Sequence, residues 1–426
     1  MAPVTVIGLD DTDSRERGMC TTFVAATLAE RIEAAGATVD RRVLVRLNPG
    51  VEHKTRGNAA LAVHTDLDPE RARELAVEHL DLAETADPRT NPGVVVAPGD
   101  PEGVPEAVAA FARAAVRDYH DIDDAVALAD RAGYEHAHAG NGRGRIGALA
   151  AVGAWRAFDD WTYECISYRE RERWGTDRTV DRESVFAAAD AASPDAWDTV
   201  DRGEGYPVCV PRTPCPILHG IRGDDPETVR SVAEAIDGEP VASRALFVTN
   251  QGTDAHLRRV DGFGDASEGR AYRVDGEVVA EPETREGGHV FTALRSDDGE
   301  TADIAAFEPT KRFRDRVRAL RPGDRLTVCG ELSDGTLKLE KFAVRKLVTT
   351  EPATPDCPDC GRSMGSAGAG QGYRCRDCGT SADGKVEVPV ERDIESGWYE
   401  VPPCARRHVA KPLVRGGFDG TVHPER

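Results

Sequence analysis

Three carboxylates stand within four positions of the stretch IGLDDTDSRERGMCTT (7–22): Asp10, Asp11 and Asp13. They follow PVTVIGL (3–9), an apolar run that reads as a buried strand. After a short loop, Thr21 and Thr22 open TTFVAATLAERIEAAG (21–36), a helical pattern that ends in a glycine stop. Carboxylates at a strand end take Mg²⁺, and the free N–H groups at a helix start hold phosphate oxygens. The combination suits a phosphate with its cation, and phosphoryl transfer needs little beyond positioning and charge neutralisation. Either threonine would cap the helix or offer an acceptor hydroxyl, and Gly18 permits close approach. The competing reading of the acids, a solvated turn, fits poorly with the buried strand before them. No G-x-x-x-x-G-K-[ST] occurs, so a P-loop is excluded. DTDS (11–14) matches only half of the D-x-D-x-[TV] loop of haloacid-dehalogenase-type phosphatases.

Two further stretches suit a nucleotide. RLNPGVEHKTRGNAA (46–60) clusters Arg46, His53, Lys54, Arg56 and Asn58 around two glycines. Lys54 stands out because the chain has only seven lysines among its 54 basic residues. Lys54, Arg56 and Asn58 are candidates for holding a phosphate or a nucleotide tail; the alternative is an exposed basic turn. GNGRGRIG (140–147) lacks the preceding strand and downstream acid of a dinucleotide fingerprint. Its Asn141, Gly142, Arg143 and Gly144 read instead as a backbone loop around phosphates or ribose. TNQGTDAHL (249–257) is a polar run directly after an apolar strand, either an ordinary loop or a ligand-facing one.

The most specific local pattern is CPDCG (357–361) with CRDCG (375–379), a C-x2-C-x14-C-x2-C array. Cys357, Cys360, Cys375 and Cys378 predict a four-thiolate zinc site, structural because no coordination position stays open. The other six cysteines are scattered, which fits a reducing cytosol and no disulfide framework.

These residues need elements to hold them. At 426 residues the chain is too long for one ordinary core. Strand and helix patterns alternate through 1–158, predicting an α/β domain. Two strand–helix units in 159–270 predict a ferredoxin-like domain. Short alternating strands with Gly/Asp turns over 271–350 predict an OB-fold barrel. A zinc ribbon at 351–385 and a basic C-terminal tail at 386–426 complete a multidomain α+β chain.

The net charge is −21, from 75 acidic and 54 basic residues. An acidic, lysine-poor surface is how a salt-adapted protein stays hydrated. In high salt the counterion-release contribution to nucleic-acid binding is weak, so recognition would lean on shape, stacking and local basic patches. Residues 308–347 carry 11 Lys/Arg against 6 Asp/Glu, and PPCARRHVAKPLVR (402–415) is also basic. With the ribbon, these predict an RNA or DNA partner along a basic face. No apolar run of about 18 residues is present, and the start lacks a basic region followed by an apolar one. A soluble, cytoplasmic protein is expected.

In order, GLDDTDS, GMCTT, RLNPG with KTRGN, GNGRGRIGA, TYECISYR, ILHGIRG, TNQGTDAHL, the zinc knuckles and PPCARRHVAKPL span nearly the whole chain. Taken together, this set resembles the archaeal tRNA agmatidine synthetase family. The resemblance implies an ATP-dependent ligase that replaces the 2-oxo group of the wobble cytidine of an isoleucine tRNA, anticodon CAU, with agmatine. It implies a phosphorylated cytidine intermediate, and decoding of AUA by the product. It implies a kinase-like domain in which Asp10, Asp11 and Asp13 form the Mg²⁺–ATP site and Thr21 is phosphorylated by the enzyme itself. Agmatine carries a guanidinium and an amine, so its pocket should offer a carboxylate, with Asp254 as the candidate. No membrane and no obligate protein partner are inferred. Two other readings compete: a zinc-ribbon/OB-fold single-strand binding protein without catalysis, and a Mg²⁺-dependent phosphatase with an aspartyl nucleophile.

Overall fold

The structure, a computed structural model, describes residues 4–54 and 57–426. Strand β1 (Thr5–Asp10) lies between β3 (Ala59–Thr65) and β4 (Gly93–Pro98), antiparallel to both. Helix α1 (Thr21–Ala34) and strand β2 (Val39–Arg46) separate β1 from β3 in the chain. After β3 come α2 (Pro69–His79), then β4, α3 (Glu106–Ala115), α4 (Ile122–Arg131), β5 (Glu135–His138) and α5 (Gly144–Ala157). Side chains alternate across the strands. Ile7 and Leu9 pack with Val24, Leu28 and Ile32 of α1, whereas Val6 packs with Val43, Val45 and Val152 of α5. Burial of both faces is why the strand runs look almost continuously apolar in sequence.

Helix α5 rides unusually close to the sheet, and glycines make that possible. A Cβ on Gly8 would lie 2.1 Å from the Ala148 carbonyl oxygen, and one on Gly93 2.2 Å from the Arg145 nitrogen. The close approach delivers the N-terminus of α5 to the end of β1.

The next unit runs β6 (Thr162–Arg169), α6 (Arg182–Ala191), β7 (Ala196–Trp197), β8 (Ile217–Gly223), α7 (Pro226–Ala235) and β9 (Val241–Thr249). Its strands lie in the order β9-β6-β8-β7. Cys165, Ile221, Val185 and Val229 form the core beneath α6 and α7. Pairing of β2 with β9, parallel at Val43↔Val248 and Leu44↔Thr249, fuses both units into one nine-stranded sheet, β5-β4-β1-β3-β2-β9-β6-β8-β7. The chain passes from one unit to the next near residue 158, but the sheet does not break there.

A closed five-stranded barrel follows. After β10 (Leu257–Arg259), strands β11 (Arg270–Val278), β13 (Val290–Ser296), β14 (Thr301–Ala306), β15 (Arg325–Ser333) and β16 (Thr336–Lys346) close through β11–β15 and a parallel β14–β16 pair. The short β12 (Glu283–Thr284) flanks β13. Helix α8 (Phe313–Arg318) seats Phe313 and Val317 against Val274, Ile304 and Phe342. The cysteine module is a three-stranded ribbon clasped by a pair, Thr350–Ala353 with Val386–Pro389.

The C-terminal segment 386–426 departs from the expected basic tail. Gly397–Glu400 extends the barrel sheet beside β16, and Trp398, Val409, Ala410 and Leu413 are buried. Its cations meet acids from elsewhere: Arg406 with Asp198 and Glu400, Arg407 with Glu331, and Arg415 with Asp224. The basic surplus of 308–347 is engaged in the same way. Lys341 holds Asp254, Arg312 holds Asp201 and Glu425, Arg325 holds Asp297, and Arg345 holds Asp419. A local charge count misses acids that come from distant parts of the chain. Among the described residues, no helix is long and apolar enough to cross a membrane.

Candidate active site

Strand β1 ends at Asp10, and the chain then turns sharply, with Asp11 at φ 59°. The Asp11 N–H donates to Asp10 Oδ1 at 2.6 Å. The loop closes on itself where Ser14 pairs with Gly18, whose φ of 103° suits glycine. Ser14 Oγ donates to Asp87 Oδ2 at 2.6 Å and Thr90 Oγ1 to the Asp13 carbonyl at 2.9 Å, fixing the loop against the segment before β4. From the other side, Arg143 Nη2 at the start of α5 donates to Asp11 Oδ2 at 2.8 Å and to the Arg89 carbonyl at 2.7 Å.

Two helix N-termini therefore point at one strand end. Cys20 occupies the N-cap position of α1 and no side chain caps that helix. Neither threonine takes the capping role that the sequence left open. Thr21 Oγ1 instead accepts a hydrogen bond from Thr12 Oγ1 at 3.1 Å, both residues being buried. The Thr21 and Thr22 N–H groups at the α1 start are thus not taken by a side-chain cap.

Asp10, Asp11, Asp13, Thr21, Thr22, Lys54, Asn58, Arg143 and Gly144 all line one cavity of about 570 Å³. It lies at the seam of the two sheet units, roofed by residues 206–215 and 403–408. Gly18, Asn141 and Gly142 are not among its lining residues. They build its supports: Gly18 closes the acid loop, and Asn141 Oδ1 accepts from the Arg143 N–H at 2.9 Å at the entry to α5. Gly142, at φ 75°, leaves no room for a Cβ beside His138 and Arg145. Arg56 lies outside the described residues.

Burial raises the Asp10 carboxyl well above its usual range, and the neighbouring Asp11 charge adds to this. Asp11 is also raised by burial, with Arg143 opposing the shift. A pair of acids that resists ionisation is a site that gains strongly from an arriving cation. The three aspartates do not form a converged cage. Among the described residues, the only group whose ligand atoms all lie within 4.8 Å of one another is the cysteine set.

Gly147, one turn into α5, faces this acid: a Cβ there would lie 1.9 Å from Asp10 Oδ2. Gly147→Ala is expected to push the carboxylate aside and to cost about 10²-fold in the rate of a reaction that uses it. An unchanged melting temperature would separate this effect from misfolding.

Asp254 is placed elsewhere than expected. At φ 62°, its carboxylate accepts from Lys341 Nζ through both oxygens at 2.8 Å and from the Lys411 N–H at 2.7 Å. It ties the β9–β10 loop to the barrel and the C-terminal segment, away from the cavity. Its charge is already matched by Lys341, so it has none to spare for agmatine.

Three family profiles match the chain: the TiaS TCKD domain over residues 6–67, the TiaS FLD domain over 142–256, and the TiaS C-terminal zinc ribbon domain over 354–394. A TiaS protein from Haloquadratum walsbyi, an isoleucine-tRNA 2-agmatinylcytidine synthetase, is 52% identical, covering 99% of this chain and 100% of its own length. The chain belongs to the TiaS family. The TiaS chain in a crystal structure of its complex with isoleucine tRNA and ATP is 41% identical, with a TM-score of 0.89 and 100% of both chains covered. The TiaS chain in a crystal structure with isoleucine tRNA, AMPCPP and agmatine is 39% identical, with a TM-score of 0.87 and the same coverage.

Sequence reasoning overlooked the wall opposite the acids. Glu164 on β6 lines the cavity, and its Oε2 accepts from Gln251 Nε2 at 2.6 Å, with Arg46 Nη2 at 3.9 Å. Gly220 clears the space beside it, since a Cβ there would lie 2.7 Å from Glu164 Oε1. His408 also lines the cavity, held neutral well below its usual pKa by the Arg46 charge and by burial. The available signal was a lone acid inside the otherwise buried strand TYECISYR. The TNQG motif thus reaches the cavity indirectly, through Gln251.

The zinc expectation fits the ribbon. Four sulfurs within 4.8 Å, with Cys360 and Cys375 Sγ 3.7 Å apart, match the S···S separation of about 3.8 Å in a tetrahedral site with Zn–S of about 2.3 Å. The matched ribbon extends past the expected boundary of 385, because Val386–Pro389 pairs back with Thr350–Ala353. Chelation is expected to release one equivalent of zinc and to expose 354–394 to protease while the sheet units stay resistant. Zinc titration and limited proteolysis would read this, and Cys378→Ser should reproduce it.

Proposed function

We propose that this chain joins agmatine to C2 of the wobble cytidine of an isoleucine tRNA with a CAU anticodon, consuming ATP. Membership of the TiaS family and full-length similarity to TiaS complexes with isoleucine tRNA, ATP and agmatine support this reading. The observation that carries it is the cavity itself, where strand-end carboxylates, a buried threonine hydroxyl and two helix N-termini meet across the seam of two units.

The finer architecture goes with it. The β9-β6-β8-β7 order is that of a ferredoxin-like fold, 4-1-3-2 in chain order. The barrel, with its parallel closure β14–β16 and a helix between β14 and β15, supports an OB-fold over 271–350. Residues 1–158 serve as the kinase-like unit, followed by the ferredoxin-like unit at 159–270, the ribbon, and a C-terminal strap.

Chemistry follows from the groups present. A carbonyl oxygen is a poor leaving group. Transfer of a phosphoryl group to the cytosine 2-oxygen forms an O–P bond and breaks one in ATP. Attack of the agmatine amine on C2 then forms the C–N bond, and the former 2-oxygen departs with phosphate as the amine loses its proton. Asp10 and Asp13 would hold Mg²⁺ together with phosphate oxygens, the usual arrangement for an ion that keeps few protein ligands; the ion neutralises phosphate charge. Arg143 orients Asp11, the α1 and α5 N-termini receive phosphate oxygens, and Thr21 accepts or holds a phosphoryl group. Glu164, held by Gln251, replaces Asp254 as the carboxylate for agmatine's cationic end.

Incubation at high salt with unmodified isoleucine tRNA bearing CAU, ATP, Mg²⁺ and agmatine tests the reading. The wobble nucleoside should gain the mass of agmatine less one water. An unchanged cytidine, with folding and zinc verified, would overturn it. Phosphothreonine at 21 is acid-stable, whereas the phosphoaspartate of a phosphatase is alkali-labile, so the rival reading is separated in the same experiment.

A further inference from the structure

Of the residues that line the cavity, four are exposed among the described residues: His53, Lys54, Tyr119 and Arg212. None is acidic, although the chain carries a net charge of −21. The exposed part of the lining is therefore basic and aromatic, with Glu52 and Glu331 nearby. Tyr119 is 47% exposed, one of only three large hydrophobic residues so exposed among the described residues. A tyrosine presents a large rigid apolar face with a polar tip, suited to an interface.

The ring is not loose. Tyr119 Oη donates to the Gly50 carbonyl at 2.7 Å, and its edge packs on Gly269, where a Cβ would lie 2.4 Å from the hydroxyl. Lys54 is latched to the same turn, with Nζ donating to the Pro49 and Val51 carbonyls at 2.5 and 3.0 Å. Carbonyls of one turn, 49–51, thus hold both the aromatic ring and the ammonium at the entrance. Asp118, the residue before Tyr119, is held by Arg258 and Arg270, so the loop is braced from behind and its acid is neutralised.

Single-stranded RNA is recognised by this pairing of features: a π-face for a base and a cation for the adjoining phosphate. A base that enters a cavity must leave its neighbours, and an unstacked neighbour needs a new surface. We propose that Tyr119 and Lys54 form a stacking platform with a phosphate clamp for the nucleotide adjoining the one that enters the cavity. The inference rests on the RNA-modifying reading above, and it assigns Lys54 to RNA rather than to the ATP tail.

The test uses the full chain and two anticodon stem-loop RNAs, each with 2-aminopurine at one position flanking the wobble cytidine. Wild-type protein should quench one of the two probes on binding. Tyr119→Ala should abolish that quench and weaken binding by roughly 5- to 150-fold, the range for loss of one stacked base. Tyr119→Trp and Tyr119→Phe should keep most of the quench. Lys54→Gln should reduce the salt slope of binding by about one unit of charge. Equal quenching by wild type and Tyr119→Ala, or a Tyr119→Phe variant as impaired as Tyr119→Ala, would overturn the platform. Failure of wild type to bind either RNA would instead refute the RNA-modifying reading itself.

Discussion

Asp10→Asn is expected to abolish synthesis while making the ligand-free protein more stable. The carboxyl sits at a buried strand end beside Asp11, and burial raises it well above 3.8. Asparagine keeps the shape and removes the charge. Where the folded pKa lies above the unfolded one, the folded state binds the extra proton, so stability falls as pH rises through that window. The penalty is absent below about pH 4 and complete above the raised pKa. The melting temperature of Asp10→Asn should therefore match wild type in acid and exceed it by a few degrees at alkaline pH. Synthesis should fall by about 10³-fold, the scale for deleting a group aimed at developing phosphate charge. Mg²⁺–ATP should raise the melting temperature of wild type and not of the variant. A melting-temperature gap that ignores pH, or synthesis within tenfold of wild type, would remove Asp10 from the site.

That acid was legible in the sequence because its signal is local. Three aspartates after a strand and two threonines before a helix need only period and spacing to be read. The same holds for the cysteine knuckles, whose ligands all lie within 22 positions of one another. Glu164, His408 and Arg46 were not legible as a set, because they come from β6, the C-terminal segment and β2 and meet only across the sheet seam. Asp254 misled for the converse reason. A carboxylate in a polar loop looks available until its partner is known, and Lys341 lies 87 positions away. The basic tail failed in the same way: composition showed cations, while Asp198 and Glu331, which neutralise them, come from other units. Short-range patterns thus revealed the acid loop, and long-range pairing decided which charged residues are free to act.

Arg406 carries the second large effect, on stability. Its guanidinium pairs with Asp198 and, at 2.8 Å, with Glu400, and the three side chains are 2%, 1% and 1% exposed. Arg406→Leu leaves the buried Glu400 without its ion-pair partner and Asp198 with only Arg222, at 3.6 Å. Breaking a buried pair from one side costs about 3–5 kcal/mol, because the remaining charge is neither solvated nor matched. Glu400 is already pushed up to about 7 by burial, even with Arg406 beside it. Its contribution in wild type therefore falls as pH rises from its ordinary 4.5 to about 7. In Arg406→Leu that slope should steepen, with the largest deficit near pH 8 and a smaller one near pH 5, where Glu400 can take a proton. Glu400→Gln should flatten the wild-type slope, and the double variant should recover part of the loss. Glu400 also accepts from the Leu413 and Glu425 N–H groups at 2.8 and 3.1 Å, so the same site anchors the C-terminal strap over the cavity. Arg406→Leu should then raise the KM for tRNA and agmatine at temperatures where the sheet units remain folded. Chemical unfolding followed from pH 5 to pH 8 decides the matter: a deficit below about 1 kcal/mol, against the several expected for a broken buried pair, or one that does not grow with pH, would mean that the two acids have found water.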